Sequence, residues 1–531
     1  MTNSASVAAS QARCTITSLL LLASAVLVSG CAEPRTFRAA PHAGLTILDP
    51  ITTTAYITRT HAHLVYDTLF ALDENLQPQP QMVERWETSP DGLRWTFVLR
   101  PGQTWHDGSP VTADDAIASL RRWGRRDAGG QALMAITRDM RAEDERTFTM
   151  ALSRPFPEML ETLGKISANV PAIMPRRVAE TDAFTPISDP TGSGPFRFSL
   201  AEWQPGERAV YLRNERYVPR EEPVSLAAGG RRAQLDRIEW VRFPTPEDAV
   251  EALIAGNIHY LESPPTRLVP RLQQAPGVTV AFSNPGGNIG MMVFNHETPP
   301  FNNAGVRRAV LMTIDQNAYM RAALEDPIFW RVCYSVFPCE TRFENDAGNA
   351  IMRVASLDAA RSALRRSGYR GEPVRILHPT DSPVISAFTR VTAERLREIG
   401  MNVILEDMTW PQLLERREVR TETGSGGWSM FHTWWVAADL EDPLHIAFSG
   451  NRASGWFGRP EDRRLELARA AFARTADPAQ RARLARQVQE RLLANGQFGI
   501  LGQFYEPVAF RNEVTGMQTP IQMYWNFGFR R

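Results

Sequence analysis

Apolar side chains recur along the chain in two alternating patterns, and together these patterns predict interleaved strands and helices. Residues Arg94–Leu99 alternate polar and apolar side chains, which is typical of a half-buried strand. Residues 113–123 repeat apolar side chains at helical spacing, behind Thr112 as a favourable N-cap and Asp115 three positions later. Because both kinds of segment recur throughout, the sequence predicts an α/β fold.

Two later helices carry start and stop signals. One begins at Thr245 and can end at Gly256, and the other begins at Asp477 and closes at Gly496; a proline follows each starting residue. Proline at the first helical position and glycine just beyond the last are the residues that helix ends favour. We also expect a helix over Glu394–Ile399.

The first thirty residues have the pattern of an export signal. Arg13 is the only charged residue before residue 33, and an apolar stretch runs from Leu19 to Val28, short of the ~20 residues that a spanning helix needs. The stretch ends in Leu-Val-Ser-Gly-Cys at residues 27–31, which resembles the lipobox of bacterial lipoproteins. We predict a signal peptide over residues 1–30 and a lipid anchor on Cys31. The alternative is an ordinary secretory signal in which Cys31 is incidental.

Composition and charge exclude several functional classes. The 531 residues predict about two to four domains, and 43% hydrophobic with 22% charged residues is near the globular average. Basic and acidic residues number 59 each, so the basic excess of a nucleic-acid-binding protein is absent. The only lysine is Lys165, and its sequence context supplies neither a P-loop nor a Schiff-base site.

Cysteine use agrees with export. Cys333 and Cys339 are the two cysteines that follow Cys31, and they enclose a short segment. An even pair in an exported chain favours a structural disulfide over free thiols. A metal site is disfavoured because no second cysteine pair or nearby histidine accompanies them.

Motifs for catalysis and metal binding are missing from the sequence. There is no Gly-x-Ser-x-Gly turn, no His-Glu-x-x-His helix and no glycine-rich dinucleotide turn after a predicted strand. We therefore expect no enzyme, no cofactor and no metal site; a secreted hydrolase is the alternative. Among the histidines, His63 is expected to be buried and hydrogen-bonded, and His432 is the best metal candidate.

A series of motifs then extends over nearly all of the chain after residue 31. They are LVYDTLF at 64–70, WETSPDG at 86–92, the run from Trp95 to Asp115, GSGPF at 192–196, RNERY at 213–217, FN at 294–295, VRRA at 306–309 and DLEDP at 439–443. In this order they resemble the extracellular solute-binding proteins of the peptide/nickel group, family 5, which supply ABC importers.

The resemblance implies an α/β fold of two lobes, like that of the periplasmic binding proteins, with an enlarged first lobe. The first lobe would comprise residues 31–290, with residues 501–531 returning to it, and the second lobe residues 291–500. Ligand would be enclosed between the lobes, which close by hinge motion.

The same resemblance implies a site for the ligand's α-ammonium group. In peptide-binding members an acidic residue three positions before the aspartate of an Asp-Pro pair receives that group, and here this position is Asp439. Trp434 and Trp435 lie just upstream of Asp439. Family members usually have a single aromatic residue there, and the spacing in this chain differs from theirs by one residue. A tryptophan face could add cation–π attraction. The alternative is that Asp439 caps a loop and the two tryptophans are core.

Residues of the first lobe are implied in the site as well. Thr53, Thr54 and Tyr56 lie where the family's first lobe contacts the ligand backbone. A ligand carboxylate would favour an arginine fork, but 58 arginines and no local motif leave that residue undetermined.

The implied function is capture of a short peptide or peptide-like ligand for delivery to an ABC permease and its ATPase subunits. A nickel or other metal chelate, a sugar or an opine are alternative ligands, and a sensing role is an alternative to transport. We expect a monomer in the periplasm, tethered by its lipid anchor, that binds no nucleic acid.

Overall fold

Two large β-sheets and one smaller sheet organise the chain in the computed structural model, which describes residues 35–421 and 426–530. The predicted signal peptide and Cys31 lie outside these residues. Within them, no helix is long and apolar enough to cross a membrane.

Strands and helices interleave as the sequence predicts. The strands are β1 (Thr36–Ala40), β2 (Phe70–Leu72), β3 (Pro78–Pro80), β4 (Val83–Thr88), β5 (Arg94–Leu99), β6 (Thr137–Ala142), β7 (Thr147–Leu152), β8 (Phe196–Phe198), β9 (Arg208–Arg213), β10 (Arg237–Val241), β11 (Tyr260–Glu262), β12 (Val278–Phe282), β13 (Asn288–Phe294), β14 (Trp330–Arg331), β15 (Pro373–Pro379), β16 (Asn402–Met408), β17 (Met430–Val436), β18 (Phe498–Phe504), β19 (Pro507–Arg511), β20 (Val514–Thr515) and β21 (Gly528–Phe529). The helices are α1 (Tyr56–Val65), α2 (Ala113–Trp123), α3 (Ala128–Met134), α4 (Met159–Gly164), α5 (Arg176–Ala179), α6 (Pro246–Ile254), α7 (Val269–Gln274), α8 (Ala304–Leu311), α9 (Gln316–Leu324), α10 (Ala350–Arg353), α11 (Leu357–Ser367), α12 (Pro383–Glu398), α13 (Trp410–Arg416), α14 (Arg463–Phe472) and α15 (Pro478–Asn495).

The seven-stranded sheet has the order β12-β19-β11-β1-β10-β9-β8. Strand β1 lies at its centre, parallel to both β10 and β11, while the other neighbours pair antiparallel. A separate four-stranded antiparallel sheet, β4-β5-β7-β6, enlarges this part of the molecule. Both sheets draw their strands from residues before 283, apart from β19.

The six-stranded sheet has the order β14-β18-β13-β17-β15-β16. Every residue of β13 is buried, which fits its apolar sequence and a strand covered on both faces. Strand β15 runs parallel to β16 and β17, so the carboxyl ends of β15 and β16 meet at one edge of the sheet.

Only two connections pass between the two large sheets within the part of the chain that the structure describes. Residues 283–287 lead from β12 to β13, and residues 505–506 lead back from β18 to β19. The two connections lie side by side, as a 2.9 Å hydrogen bond from Asn288 to Glu506 shows.

The helix start signals are confirmed where capping is local. Thr112 and Asp115 form a capping box on α2, Thr245 does so with Asp248 on α6, and Asp477 caps α15. The helix expected over Glu394–Ile399 is the end of a longer one, since α12 begins at Pro383. The structure also joins Cys333 to Cys339 by a disulfide with a Cα–Cα distance of 5.9 Å.

Candidate functional site

A cleft of about 650 Å³ lies between residues that precede the first crossing and residues that follow it. One wall comes from the loops beside the seven-stranded sheet and the start of α1 and includes His42, Thr54 and Tyr56. The opposite wall comes from the six-stranded sheet, its loops and α13, and includes Asp381, Trp410, Arg417, Trp434 and Trp456. The cleft is therefore bounded by both large sheets.

Tyr56 connects the two walls. It is the first residue of α1, and its ring stacks on that of Trp434 with 5.1 Å between centroids and 28° between planes. Its hydroxyl donates a 2.5 Å hydrogen bond to Asp439 and accepts one of 2.6 Å from the backbone N–H of Val436. Burial, together with the nearby Asp439 carboxylate, raises the pKa of Tyr56 well above its ordinary value. The phenol is thus a neutral donor that ties α1 to the turn after β17.

Asp439 lies in that turn, directly behind Tyr56. Its Oδ2 also accepts a 2.8 Å hydrogen bond from Ser167, whose hydroxyl accepts one of 3.0 Å from Arg59. Burial raises the pKa of Asp439, although the charge of Arg59 and the two hydroxyl hydrogen bonds oppose the rise. Among the described residues, none donates a hydrogen bond to Oδ1, so this oxygen keeps its acceptor capacity.

The structure separates the two predicted tryptophans by role. Trp434 is half-buried, and its ring faces Tyr56 across the cleft. Trp435 is 2% exposed and packs on Trp456 and His445, with ring centroids 5.0 Å and 4.4 Å away. Both tryptophans line the cleft, but Trp434 is the more exposed of the two and Trp435 is mainly core.

The predicted threonines divide in a similar way. Thr54 lines the cleft, and its hydroxyl oxygen accepts a 3.2 Å hydrogen bond from the indole of Trp456. Thr53 is buried, and its hydroxyl oxygen accepts from the backbone N–H of Ala55. Thr53 is not among the described residues that line the cleft, and neither is Asp439.

Sequence reasoning missed several residues of the cleft. Asp381 follows β15 and Trp410 follows β16, so both lie beyond the carboxyl ends of adjacent parallel strands. Ligands of α/β proteins bind preferentially at such ends. Strand pairing was the missing signal, because nothing in the local sequence shows that these two strands are neighbours.

His432 and His63, the two histidines singled out in the sequence, lie within hydrogen-bond distance of protein groups. His432 is fully buried, and its ring nitrogens lie 3.1 Å and 2.8 Å from the hydroxyls of Thr389 and Thr392. Burial lowers the pKa of His432 to about 3. His63 bonds the backbone carbonyl of Ile166 at 2.7 Å, in agreement with the sequence-based expectation. Across residues 35–421 and 426–530, no group of three or more His, Cys, Asp or Glu side chains is placed to hold a metal ion.

A partly buried carboxyl lies at the crossing between the sheets. Glu506 accepts the hydrogen bond from Asn288 and lies near His42, Glu262 and Ser263. Burial raises the pKa of Glu506 to about 7, and the negative charge of Glu262 adds to the rise, while the other three neighbours oppose it. The crossing therefore contains a carboxyl group that holds its proton at mildly acidic pH.

Stability should depend on the protonation of Glu506. Its pKa is about 7 in the folded protein against 4.5 in the unfolded chain, so between these values only the folded state keeps the proton. The free energy of unfolding should thus fall as pH rises from about 4.5 to about 7. The Glu506→Gln variant lacks this titration. Its free energy of unfolding, minus that of the native protein, should therefore increase by about 2 kcal/mol from pH 5 to pH 8, as measured by urea unfolding.

An exposed carboxylate provides the control for this titration. Glu74→Gln changes a solvent-exposed side chain and should follow the native pH dependence. If Glu506→Gln also followed the native protein across this range, the raised pKa would be contradicted.

Comparison with known proteins identifies the family. Residues 77–454 match the family described as bacterial extracellular solute-binding proteins, family 5, middle region. A probable peptide ABC transporter periplasmic-binding protein of Sinorhizobium fredii is 35% identical over 492 residues, which cover 91% of this chain and 91% of that protein. The family match includes most of the second wall of the cleft, whereas His42, Thr54 and Tyr56 of the first wall precede it.

Two solved structures share the fold. The ABC transporter-associated periplasmic binding protein DppA of Helicobacter pylori, in complex with the peptide STSA, has a TM-score of 0.78 at 22% identity and covers 93% of this chain and 98% of its own. The binding protein AgaA of A. tumefaciens R10, in complex with agropinic acid, has a TM-score of 0.77 at 20% identity, with 93% and 99% covered. The two-lobed α/β fold predicted from the sequence is confirmed, and the chain belongs to family 5 of the bacterial extracellular solute-binding proteins.

Proposed function

We propose that the protein is the extracytoplasmic binding subunit of an ABC importer and captures a short peptide or peptide-like ligand between its two lobes. The observation that carries this proposal is the cleft of about 650 Å³ with one wall from each large sheet. Its walls combine aromatic faces with a few polar groups, as the walls of small-molecule sites commonly do. The peptide named for the relative and for the DppA complex supports this ligand class.

The lobes can be assigned from sheet membership. The strand pairings support a first lobe built on the seven- and four-stranded sheets and a second lobe built on the six-stranded sheet. The boundaries predicted at residues 290 and 501 fall inside β13 and β18, so we place the hinge instead at the crossings 283–287 and 505–506. Rotation about two adjacent short connections is a common means of closing a cleft.

Direct hydrogen bonds join the proposed lobes around the cleft. Besides the bond from Tyr56 to Asp439, Gln131 exchanges two hydrogen bonds with Ser454, at 3.0 Å and 3.2 Å. These contacts form only when the lobes approach, so they stabilise a closed arrangement. A ligand that touches both walls adds to that preference through its differential affinity for the closed form.

Within this function, Asp439 is proposed to receive the ligand's α-ammonium group. Its Oδ2 is occupied by two hydroxyl donors, and Oδ1 keeps capacity for one more donor. An enclosed ammonium requires a charged partner, since an unpaired buried charge is costly. Trp434, which stacks on Tyr56 and lines the cleft, would contribute a ring face to the ammonium group.

The proposal also includes the location of the protein in the cell and its partners. Cys31 would carry the lipid anchor in the periplasm, and the protein would act as a monomer that meets its permease after closure. Binding would leave the ligand chemically unchanged, with ATP hydrolysed by separate subunits. Since the same fold holds agropinic acid in AgaA, side chains rather than the fold determine the ligand.

A thermal-shift screen with di- to pentapeptides tests the proposal. A ligand that binds only the folded state at 100 times its Kd adds about 2.7 kcal/mol to the free energy of unfolding, so the Tm should rise with peptide concentration. A screen in which no peptide raises the Tm, while a nickel–histidine chelate, a sugar or an opine does, would contradict the peptide ligand.

A further inference from the structure

Arg417 is a buried cation in the wall of the cleft whose side chain has no hydrogen-bond acceptor among the described residues. It directly follows α13 and is 3% exposed. Its Nε has no hydrogen-bond partner, and within the part of the chain that the structure describes its guanidinium forms no ion pair. Arg417 is among the residues that line the cleft between the proposed lobes.

Other buried arginines of the chain are differently placed. Arg122 and Arg231 form ion pairs with Asp49 and Asp67, both at 2.7 Å. Arg307 donates to the backbone carbonyls of residues 301, 495 and 496. Because burying a charged group without a partner is costly, each of these arginines has a carboxylate or carbonyl acceptor within the fold, although Nη2 of Arg231 has none. The Arg417 guanidinium, by contrast, bonds no acceptor of a described residue, and Arg417 lines a cleft in which a ligand could supply one.

Aromatic rings hold the Arg417 guanidinium in place. Its central carbon lies 4.0 Å from the ring centroid of Phe457, and 5.8 Å and 5.9 Å from those of Phe431 and Trp456. Contact with a ring face stabilises the cation and leaves the N–H groups at the guanidinium edge able to donate. Burial lowers the pKa of Arg417 to about 10, so the group is charged at neutral pH.

A second arginine without an ion pair to a described residue lies near the same cleft. A second cavity of about 800 Å³ shares Thr54 and Trp456 with the cleft and is lined by four arginines and one carboxylate. Among these, Arg126 contacts the backbone carbonyl of Thr52 and the ring of Phe184 and forms no ion pair with a described residue. The other three arginines are paired with Glu297 or Glu461, so Arg126 adds one further unpaired positive charge near the cleft.

We propose that Arg417 binds a carboxylate group of the ligand. A carboxylate in the cleft could accept two parallel N–H donors from the guanidinium edge while the ring face of Phe457 fixes its plane. This inference deepens the proposed function, on which it rests, by adding an anionic group to the ligand that Asp439 would hold by its ammonium. Arg417 thereby supplies the carboxylate partner that sequence analysis left undetermined.

The test compares Arg417→Met with native protein by isothermal titration. The probes are a tripeptide with a free C-terminus, its C-terminal amide, and glutarate with its neutral analogue glutaramide. Native protein should bind the free acid roughly 10- to 100-fold more tightly than the amide, and Arg417→Met should bind both equally. The variant should also keep or raise the Tm without ligand, because it removes a buried unpaired charge.

Arg416→Met is the matched control. Arg416 is the preceding residue, is paired with Glu406 at 3.5 Å and is absent from the described lining of the cleft. It should retain the native preference for the acid.

The outcomes separate this proposal from the proposed function. Peptides that bind native protein equally well as acids and amides overturn the role of Arg417 and leave peptide capture standing. Glutarate that binds native protein but not Arg417→Met supports Arg417 even if no peptide binds. The proposal is overturned if no carboxylate probe binds the native protein. It is also overturned if Arg417→Met has a lower Tm than Arg416→Met and keeps the native preference for the acid.

Discussion

Replacing Asp49 with asparagine should lower the free energy of unfolding by about 3–5 kcal/mol, a large fraction of the stability of a typical domain. Asp49 is fully buried and forms two parallel hydrogen bonds with Arg122, at 2.7 Å and 3.2 Å. It also accepts hydrogen bonds from the backbone N–H groups of Ile51 and Ile187. The substitution leaves Arg122 charged and buried without its carboxylate, so the cost exceeds that of one lost hydrogen bond. Urea unfolding at pH 7 measures it.

Two further variants make this prediction specific. Asp358→Asn removes a carboxylate that is 94% exposed from its ion pair with Arg361, and its effect should stay within about 1 kcal/mol. Removing both charges with Asp49→Leu and Arg122→Met should be less destabilising than Asp49→Asn alone, since no buried charge is then left unpaired. A loss from Asp49→Asn as small as that from Asp358→Asn would contradict the assignment of this pair as a buried determinant of stability.

Replacing Asp439 with asparagine should weaken binding of peptides with a free amino terminus by roughly 30-fold or more. Removing one partner of an enclosed charge pair costs about 2–5 kcal/mol, much of it from the charge left behind. N-acetylated peptides carry no ammonium and should bind the variant and the native protein alike. Asparagine preserves an acceptor oxygen for the hydroxyls of Tyr56 and Ser167, so closure of the cleft should survive. Titration calorimetry with a peptide and its N-acetyl form measures the difference.

Asp381 provides the control for this experiment. It is an exposed carboxylate that does line the cleft, so it is the competing candidate for an ammonium group. Asp381→Asn should keep the preference for free-amine peptides. If Asp381→Asn lost that preference and Asp439→Asn kept it, the ammonium site would have to be reassigned to Asp381.

Local signals in the sequence were sufficient wherever the structure depends on neighbouring residues. The capping boxes at Thr112 and Thr245 and the cap at Asp477 involve residues within three positions of one another, so they could be predicted. The fold itself followed from the ordered family motifs. The start of α12 was not predicted, although Pro383 occupies the first helical position there as prolines do in α6 and α15.

Contacts between distant residues could not be predicted in this way. Tyr56 and Asp439 are 383 positions apart, and only the approach of the two walls brings the phenol to the carboxylate. The same holds for Asp49 and Arg122, which belong to a loop and to α2. Arg417 is one of 58 arginines, and what distinguishes it is burial among aromatic rings without an acceptor, a property of packing.

Native mass spectrometry tests most directly whether the protein captures a ligand between its lobes and leaves it unchanged. The protein would be incubated for hours with a peptide from the thermal-shift screen, first measured intact and then denatured to release its contents. We expect one peptide per chain in the complex and recovery of that peptide at its original mass. Shorter fragments after release, or no complex with any peptide of the screen, would contradict capture without chemistry.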